Sequence, residues 1–266
     1  MKKNLILSLR ATLSAAALAC ALALSPALTA ADAPATPLRP LVNGDKVVFL
    51  GDSITAGAVR PNGYITMLSA QAEKNGMKVE CIGAGRSGNT VSNLQQRLDK
   101  DVLALHPAVV VVFIGVNDVW HQERGRGTSR EDYATGLKDL ITRIRAAKAE
   151  PILCTPCVIG EKVHWEAGDM QPPPPSDDPK KPAKKYGIGQ LAVMLDEYCE
   201  ISRNTAKELK VPLVDLHAAF LKFIANNNPN NKVAGILTGD TVHPNSAGNN
   251  MIAEQIGAAL GIKFQP

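Results

Sequence analysis

The chain has 266 residues, of which 29 are Lys or Arg and 25 are Asp or Glu, giving a formal net charge of +4. Hydrophobic residues make up 45% and charged residues 20%, a composition that excludes collagen-like, coiled-coil and disordered proteins. The first 31 residues hold three bases and no acid, so 26 basic and 25 acidic residues remain after them. This balance excludes an electrostatic case for nucleic acid as a partner.

The N-terminal segment predicts export. Two lysines precede an apolar stretch over residues 11–28, and the small residues TAADA follow. This order is typical of a secretory signal peptide with cleavage near Ala31 or Ala33, and an uncleaved membrane anchor is the alternative. We therefore expect residues 1–31 to be a signal peptide and the protein to be secreted or periplasmic, with no stable membrane insertion after cleavage.

The rest of the chain predicts an α/β fold. Residues 32–44 are rich in proline and indicate an extended lead-in to a single domain over residues 45–266. Short apolar runs predict strands over residues 46–50, 78–82, 108–114, 151–154 and 211–214. Amphipathic patterns predict helices over residues 64–75, 91–105, 130–149, 188–209 and 245–260. Because strands and helices alternate, we expect a parallel sheet with helices on both faces.

Residues 160–186 interrupt this alternation. The segment contains four consecutive prolines and shows no periodicity, so it predicts a long loop after the fourth strand. Long loops at the carboxyl ends of such strands often border an active site, whereas a mobile surface insertion is the alternative. The sequence leaves both interpretations open.

Two motifs follow the first two predicted strands. GDSITAG (51–57) places Ser53 where the first strand turns into a helix or loop, although Gly-Asp-Ser is also ordinary turn chemistry. GAGRSGNT (83–90) predicts a glycine-rich turn that lets the backbone approach a ligand. Its spacing is similar to that of dinucleotide loops, but it follows the second strand and lacks a well-placed acidic residue, which disfavours nucleotide binding.

Two further motifs carry polar side chains. GVND (115–118) follows the third strand, where the amide of Asn117 can donate into the same crevice or simply close an Asx-turn. Near the last helix, Asp240 stands three residues before His243, which is followed by proline. A carboxylate beside the imidazole can hold the Nδ1–H tautomer and leave Nε2 free as a base, whereas helix capping is the alternative.

Together and in this order, the four motifs resemble those of the GDSL or SGNH hydrolase superfamily, over about residues 47–260. The resemblance implies a three-layer α/β/α sandwich around a five-stranded parallel sheet, flavodoxin-like in type. It also implies a carboxylic ester hydrolase. In that reading Ser53 is the nucleophile, His243 its general base and Asp240 the acid that orients the base.

The same resemblance implies an oxyanion hole. Its donors would be the backbone N–H groups of Ser53 and Gly88 and the side chain of Asn117. We choose Gly88 over Gly85 because the second block of the family commonly runs N-x-x-x-x-G. Gly83 replaces the leading Asn, which removes a supporting hydrogen bond but leaves the backbone donor in place.

The chemistry so implied needs no metal or organic cofactor, and the other histidines do not have zinc-ligand spacing. We expect a small-molecule or carbohydrate ester as substrate, with a short acyl group such as acetyl, because no large apolar lid is evident. The alternative is a non-catalytic carbohydrate-binding or scaffold protein that keeps the fold. His121, just after the third motif, is a candidate for the rim of the site.

Four cysteines remain after the signal segment. An exported protein meets an oxidising compartment, in which disulfides form. We expect Cys157 to pair with Cys199, joining the long loop to the helix after it. We expect Cys81 and Cys154 to be buried thiols.

Overall fold

A computed structural model describes residues 38–178 and 183–264. The predicted signal peptide, residues 1–31, lies outside the described residues, as do both predicted cleavage positions and the first part of the proline-rich lead-in. Within the described ranges, no helix is both long enough and apolar enough to cross a bilayer.

The predicted fold class is confirmed. Within the described residues, five strands form one parallel sheet in the order β2-β1-β3-β4-β5. They are β1 Lys46–Gly51, β2 Glu80–Gly85, β3 Val109–Phe113, β4 Glu150–Cys154 and β5 Leu213–Val214. All five residues of β3 are buried, because this central strand is covered on both faces and its valines suit that environment.

Helices cover the sheet. In the described part of the chain they are α1 Ser53–Gly57, α2 Tyr64–Lys74, α3 Val91–Asp101, α4 Val116–Trp120, α5 Arg130–Ala146, α6 Ile188–Leu209, α7 Leu216–Asn227 and α8 Ser246–Leu260. α2 packs on α8, whereas α3 and α6 both pack on α5, so the sheet lies between two helical layers. The five predicted helices are present, but α1, α4 and α7 are additional. α1 and α4 are single turns, too short to show a period.

The predicted boundary of the second strand is wrong. The register pairs Lys46 with Glu80 and Gly51 with Gly85, so β2 includes Gly83 and Gly85, which the sequence assigned to a turn. A Cβ on Gly85 would lie 2.1 Å from the backbone nitrogen of Ala56. This glycine therefore permits close packing of α1 on β2, and the turn itself begins only after it.

The loop over residues 160–186 lacks helix and strand in its described part, yet it is anchored. The backbone nitrogen and oxygen of His164 both bond to the side chain of Asn231. Lys162 Nζ pairs with Asp169 at 2.7 Å, and the backbone oxygen of Asp169 accepts from Gly189 in α6. Hydrogen bonds thus tie this part of the loop to two other segments.

The prediction of a Cys157–Cys199 disulfide is wrong, because both cysteines are free and buried in this structure. Cys199 Sγ faces the backbone oxygen of Pro156 at 3.7 Å. Burial raises the pKa of both thiols well above the ordinary value, which favours the protonated, unreactive form. Cys154 is a buried thiol as expected, whereas Cys81 is only half-buried.

Candidate active site

Ser53 is held at the carboxyl edge of the sheet by the turn from β1 into α1. Asp52 is the N-cap of α1, and its Oδ1 accepts a hydrogen bond from the backbone nitrogen of Ile54 at 2.9 Å. Asp52 is only 2% exposed, whereas Ser53 remains partly accessible. The turn therefore buries the carboxyl group of Asp52 and leaves the hydroxyl of Ser53 accessible at the surface.

A chain of hydrogen bonds joins Ser53 to the last predicted motif. Ser53 Oγ lies 2.9 Å from His243 Nε2, and His243 Nδ1 lies 2.8 Å from Asp240 Oδ2. The other oxygen of Asp240 accepts from the backbone nitrogens of His243 and Val242 at 2.8 and 3.1 Å. The structure thus brings together the three residues for which the sequence predicted acid, base and nucleophile roles.

The electrostatics of Asp240 follow from these contacts. Partial burial raises the pKa of its carboxyl group, but hydrogen bonds from the His243 backbone and imidazole and from Val242 outweigh burial. The pKa is therefore held below its ordinary value, and the carboxylate is charged near neutral pH. A charged carboxylate at Nδ1 favours the tautomer in which Nε2 accepts from the serine hydroxyl.

The loop that carries Asp240 and His243 is braced by the segment after β4. The backbone nitrogen of Gly160 donates to Thr241 O at 2.7 Å. Next to it, the buried carboxylate of Glu161 accepts from three successive backbone nitrogens at 2.6–2.7 Å, those of residues 236–238. These residues were not predicted as part of a site, because nothing in the local sequence signals a contact about 75 residues away.

Two buried carboxyl groups lie beneath the site. Burial raises the pKa of Asp52 to about 7, and the charge of Asp118 adds to that rise, whereas the Ile54 backbone and His243 oppose it. Burial also raises the pKa of Asp118 to about 6, against hydrogen bonding from Thr128 and from a backbone nitrogen. Both groups therefore favour their neutral forms more than an exposed aspartate does.

Two of the three predicted oxyanion residues lie near one another, because Gly88 is in the loop after β2 and Asn117 of α4 contacts the next residue of that loop. Gly88 has φ +76°, a conformation that favours glycine. Asn117 Nδ2 donates to the backbone oxygen of Asn89 at 3.1 Å, which uses one of the two N–H groups of that amide. A Cβ on Gly88 would lie 3.8 Å from the ring of His121, so the predicted rim residue also borders this loop.

A cleft of about 540 Å³ opens at Ser53 and His243. Its other polar lining residues are Arg60, Asn62, Ser87, Asn245, Ser246 and Asn249. No carboxylate lines it among the described residues, and neither does any described residue of the loop 160–186. In the same ranges, no three His, Cys, Asp or Glu side chains are grouped so that they could hold a metal ion.

Comparisons with known proteins find one matching family and several similar proteins. Residues 49–251 match the GDSL-like lipase/acylhydrolase family. An acetylxylan esterase of Geobacillus stearothermophilus is 27% identical over 242 residues, which cover 84% of this chain and 96% of that protein. The uncharacterized lipoprotein YqeF of Bacillus subtilis (strain 168) is 26% identical over 188 residues, covering 67% of this chain and 73% of that protein.

Solved structures extend the similarity to three dimensions. The crystal structure of the acetyl xylan esterase AlAXEase superposes with a TM-score of 0.69 and 37% sequence identity. The match covers 81% of this chain and 99% of that one. The shared architecture therefore includes nearly the whole of the solved protein.

Proposed function

This chain belongs to the GDSL-like lipase/acylhydrolase family, and from that premise we propose that it is a serine esterase that removes acetyl groups from carbohydrates. That it is a carboxylic ester hydrolase follows from the family and from its esterase relatives. The assignment of a serine nucleophile rests on one observation above all, the contact of 2.9 Å between Ser53 Oγ and His243 Nε2.

In the proposed first step, Ser53 Oγ attacks the ester carbonyl while His243 Nε2 takes the hydroxyl proton. A serine hydroxyl is a weak nucleophile near pH 7 unless a base removes its proton. Asp240 holds the imidazole in the required tautomer and stabilises the imidazolium that forms. The distances of 2.9 and 2.8 Å along this chain support these roles.

The attack places negative charge on the carbonyl oxygen. We assign its stabilisation to the backbone N–H groups of Ser53 and Gly88 and to the side chain of Asn117. Donors held in place before the reaction are most effective, and removing one commonly lowers the rate by roughly 10²–10³. The bond from Asn117 to Asn89 supports this assignment, because it orients the amide and leaves a second N–H for the oxyanion.

Collapse of the tetrahedral intermediate then releases the sugar alcohol, which receives its proton from His243. Water attacks the acyl-serine with the same imidazole as base, and acetate leaves. The names of the acetylxylan esterase relatives support an acetylated carbohydrate as the substrate. The hydroxyl and amide groups that line the cleft suit a polar alcohol.

The protein acts outside the cytoplasm in this proposal. Support comes from the predicted signal peptide over residues 1–31 and from the similarity to a protein named as a lipoprotein. Expression in a bacterial host, fractionation and N-terminal sequencing test it. A mature chain that begins just after Ala31 or Ala33 is expected, whereas a full-length cytoplasmic product would contradict export.

A Ser53→Ala variant tests the catalytic assignment. We expect kcat to fall by at least about 10⁴ on p-nitrophenyl acetate and on acetylated xylo-oligosaccharides, with unchanged thermal unfolding. Activity of the wild type should fall as the p-nitrophenyl ester is lengthened from acetyl to decanoyl.

The exposed Ser92 in α3 provides a matched control, because Ser92→Ala makes the same chemical change away from the site. A fluorophosphonate should label the wild type and Ser92→Ala but not Ser53→Ala. A wild type that hydrolyses no ester and takes no label would instead favour the non-catalytic binding protein.

A further inference from the structure

Arg97 of α3 has no role in the mechanism above, yet its side chain contacts both strands that lead into the site. Arg97 Nη2 donates to the backbone oxygen of Gly51 at 2.7 Å, and Nη1 donates to that of Ala84 at 2.9 Å. Gly51 ends β1 just before Asp52 and Ser53, and Ala84 lies near the end of β2. One buried guanidinium thus joins the ends of both strands.

The third N–H group of the guanidinium reaches the loop of residues 86–89, which carries Gly88. Arg97 Nε donates to Asn89 Oδ1 at 2.7 Å, and Asn89 directly follows Gly88. The backbone oxygen of the same Asn89 accepts from Asn117 Nδ2 at 3.1 Å. Asn89 therefore links Gly88, its neighbour in the chain, to Asn117, and Arg97 bonds directly to Asn89.

Asp101, one helical turn after Arg97, holds the other end of the loop. Asp101 Oδ2 lies 3.2 Å from Arg97 Nη1 and 2.6 Å from Arg86 Nη2. The backbone nitrogen of Arg86 donates to Gly51 O at 3.2 Å. The loop of residues 86–89 is thus held at both ends by α3, with the left-handed Gly88 between them.

A buried cation at this position is energetically costly. Burial lowers the pKa of Arg97, and the hydrogen bond and charge of Asp101 oppose that change, so the guanidinium stays charged. The three N–H groups of a lysine ammonium share one nitrogen atom. They cannot reach Gly51, Ala84 and Asn89 together, as the three separate nitrogens of the guanidinium do. The geometry therefore demands arginine specifically, beyond a positive charge.

We propose that Arg97 is a positioning residue for the oxyanion hole. Through Asn89 it sets the Gly88 N–H and the Asn117 amide at the place where negative charge develops. It touches neither the substrate nor the nucleophile. This inference rests on the serine esterase function proposed above.

The test compares Arg97→Lys and Asn89→Ala with Arg143→Lys. Arg143 of α5 also bonds to α3, to the backbone oxygen of Gln95 and to Asp99, but contacts no residue of the site. For each variant we measure kcat and KM on p-nitrophenyl acetate, thermal unfolding, and inhibition by an arylboronic acid. The boronic acid forms a tetrahedral anionic adduct with a serine hydroxyl and so reports on the oxyanion hole.

We expect kcat of Arg97→Lys and Asn89→Ala to fall about 10- to 100-fold, with KM within about twofold, because displaced donors weaken only the transition state. The inhibition constant of the boronic acid should rise by the same factor. The low-pH limb of the kcat profile should not move, because His243 and Asp240 are undisturbed. A variant that combines Arg97→Lys and Asn89→Ala should lose no more kcat than the more impaired of the two single variants, because both remove the same interaction.

Full kcat in Asn89→Ala, or an equal loss of kcat in Arg143→Lys, would overturn the proposal. If Arg97→Lys does not fold, Asn89→Ala decides alone. A wild type that neither hydrolyses the ester nor reacts with a fluorophosphonate rejects the proposed function, and this inference with it. A wild type that does both, beside variants with normal kcat and boronate affinity, rejects this inference alone.

Discussion

Asp52 and Ser53 are neighbours in the chain but lie in different environments. The carboxyl group of Asp52 is buried and caps α1, whereas Ser53 faces the cleft. The capping bond needs only an oxygen acceptor, which an amide also supplies. The charge of Asp52 is therefore separable from its capping role.

Replacing Asp52 by Asn removes the ionisable group and keeps an oxygen that can cap α1. The pKa of Asp52 rises from 3.8 to about 7 in the folded protein. Between these values the folded state holds a proton that the unfolded state has released, so stability of the wild type falls as pH rises through this window. We expect the unfolding free energy of Asp52→Asn to match that of the wild type below about pH 4. Between about pH 4 and 7 the wild type becomes less stable relative to the variant, and above that range the difference in unfolding free energy stays constant.

Urea unfolding of both proteins between pH 4 and 9 measures this difference. Asp177→Asn makes the same chemical change at an exposed aspartate and is the control. A stability difference between Asp52→Asn and the wild type that is flat with pH, or that narrows as pH rises, would contradict the assignment.

Among the elements, the segment after β4 holds the loop with Asp240 and His243. Glu161 is 1% exposed, and its carboxylate accepts from three consecutive backbone nitrogens that precede Asp240. Buried donors left without an acceptor are costly. The position of His243 therefore depends on a carboxylate in a different loop.

Glu161→Gln tests this dependence. The amide keeps one acceptor oxygen but turns an NH₂ group toward backbone donors, so we expect unfolding free energy to fall by roughly 2–4 kcal/mol. We also expect kcat on p-nitrophenyl acetate to fall at temperatures where the variant is folded, because His243 is less well placed. Glu197→Gln, at an exposed residue paired with Arg130, is the control. Equal stability and kcat in the two variants would refute the role of Glu161.

The elements also show where local pattern is informative. Within the described residues, the alternation of apolar runs and amphipathic stretches predicted every strand and five of the eight helices. It missed α7, although this helix of 12 residues is longer than α2 or α3. It misplaced β2, because the strand limits follow from pairing with Lys46–Gly51, and residues 83–85 carry no apolar pattern of their own. Gly85 of β2 permits the close approach of α1, whereas glycine in a ligand-binding turn permits the close approach of a ligand. The sequence pattern does not distinguish these two requirements.

At the scale of the whole molecule, the basic excess of the chain lies at its N-terminus. Beyond residue 31 there are 26 basic and 25 acidic residues. Among the described residues, Arg203 pairs with Asp215 and Arg39 with Asp45. A nearly neutral domain has little long-range field to steer a charged substrate.

The expected consequence is a weak salt dependence. For a charged ester, kcat/KM of the mature protein should change by less than about twofold between 20 and 500 mM NaCl, because a nearly neutral domain has little long-range field for salt to screen. Potassium chloride serves as a check for effects of the sodium ion. A steep decline with salt would show that a charged surface attracts the substrate after all.

By itself the sequence determined which residue types stand at each strand end, and so the family, the sheet and the candidates Ser53, Asp240 and His243. Their order and spacing are local properties that can be read directly. Tertiary structure alone decided that Ser53 and His243, 190 residues apart, meet at 2.9 Å. It also assigned Arg97 and Glu161 to the support of the site and left Cys157 and Cys199 free. Such contacts depend on register and packing between remote segments, which local patterns do not encode.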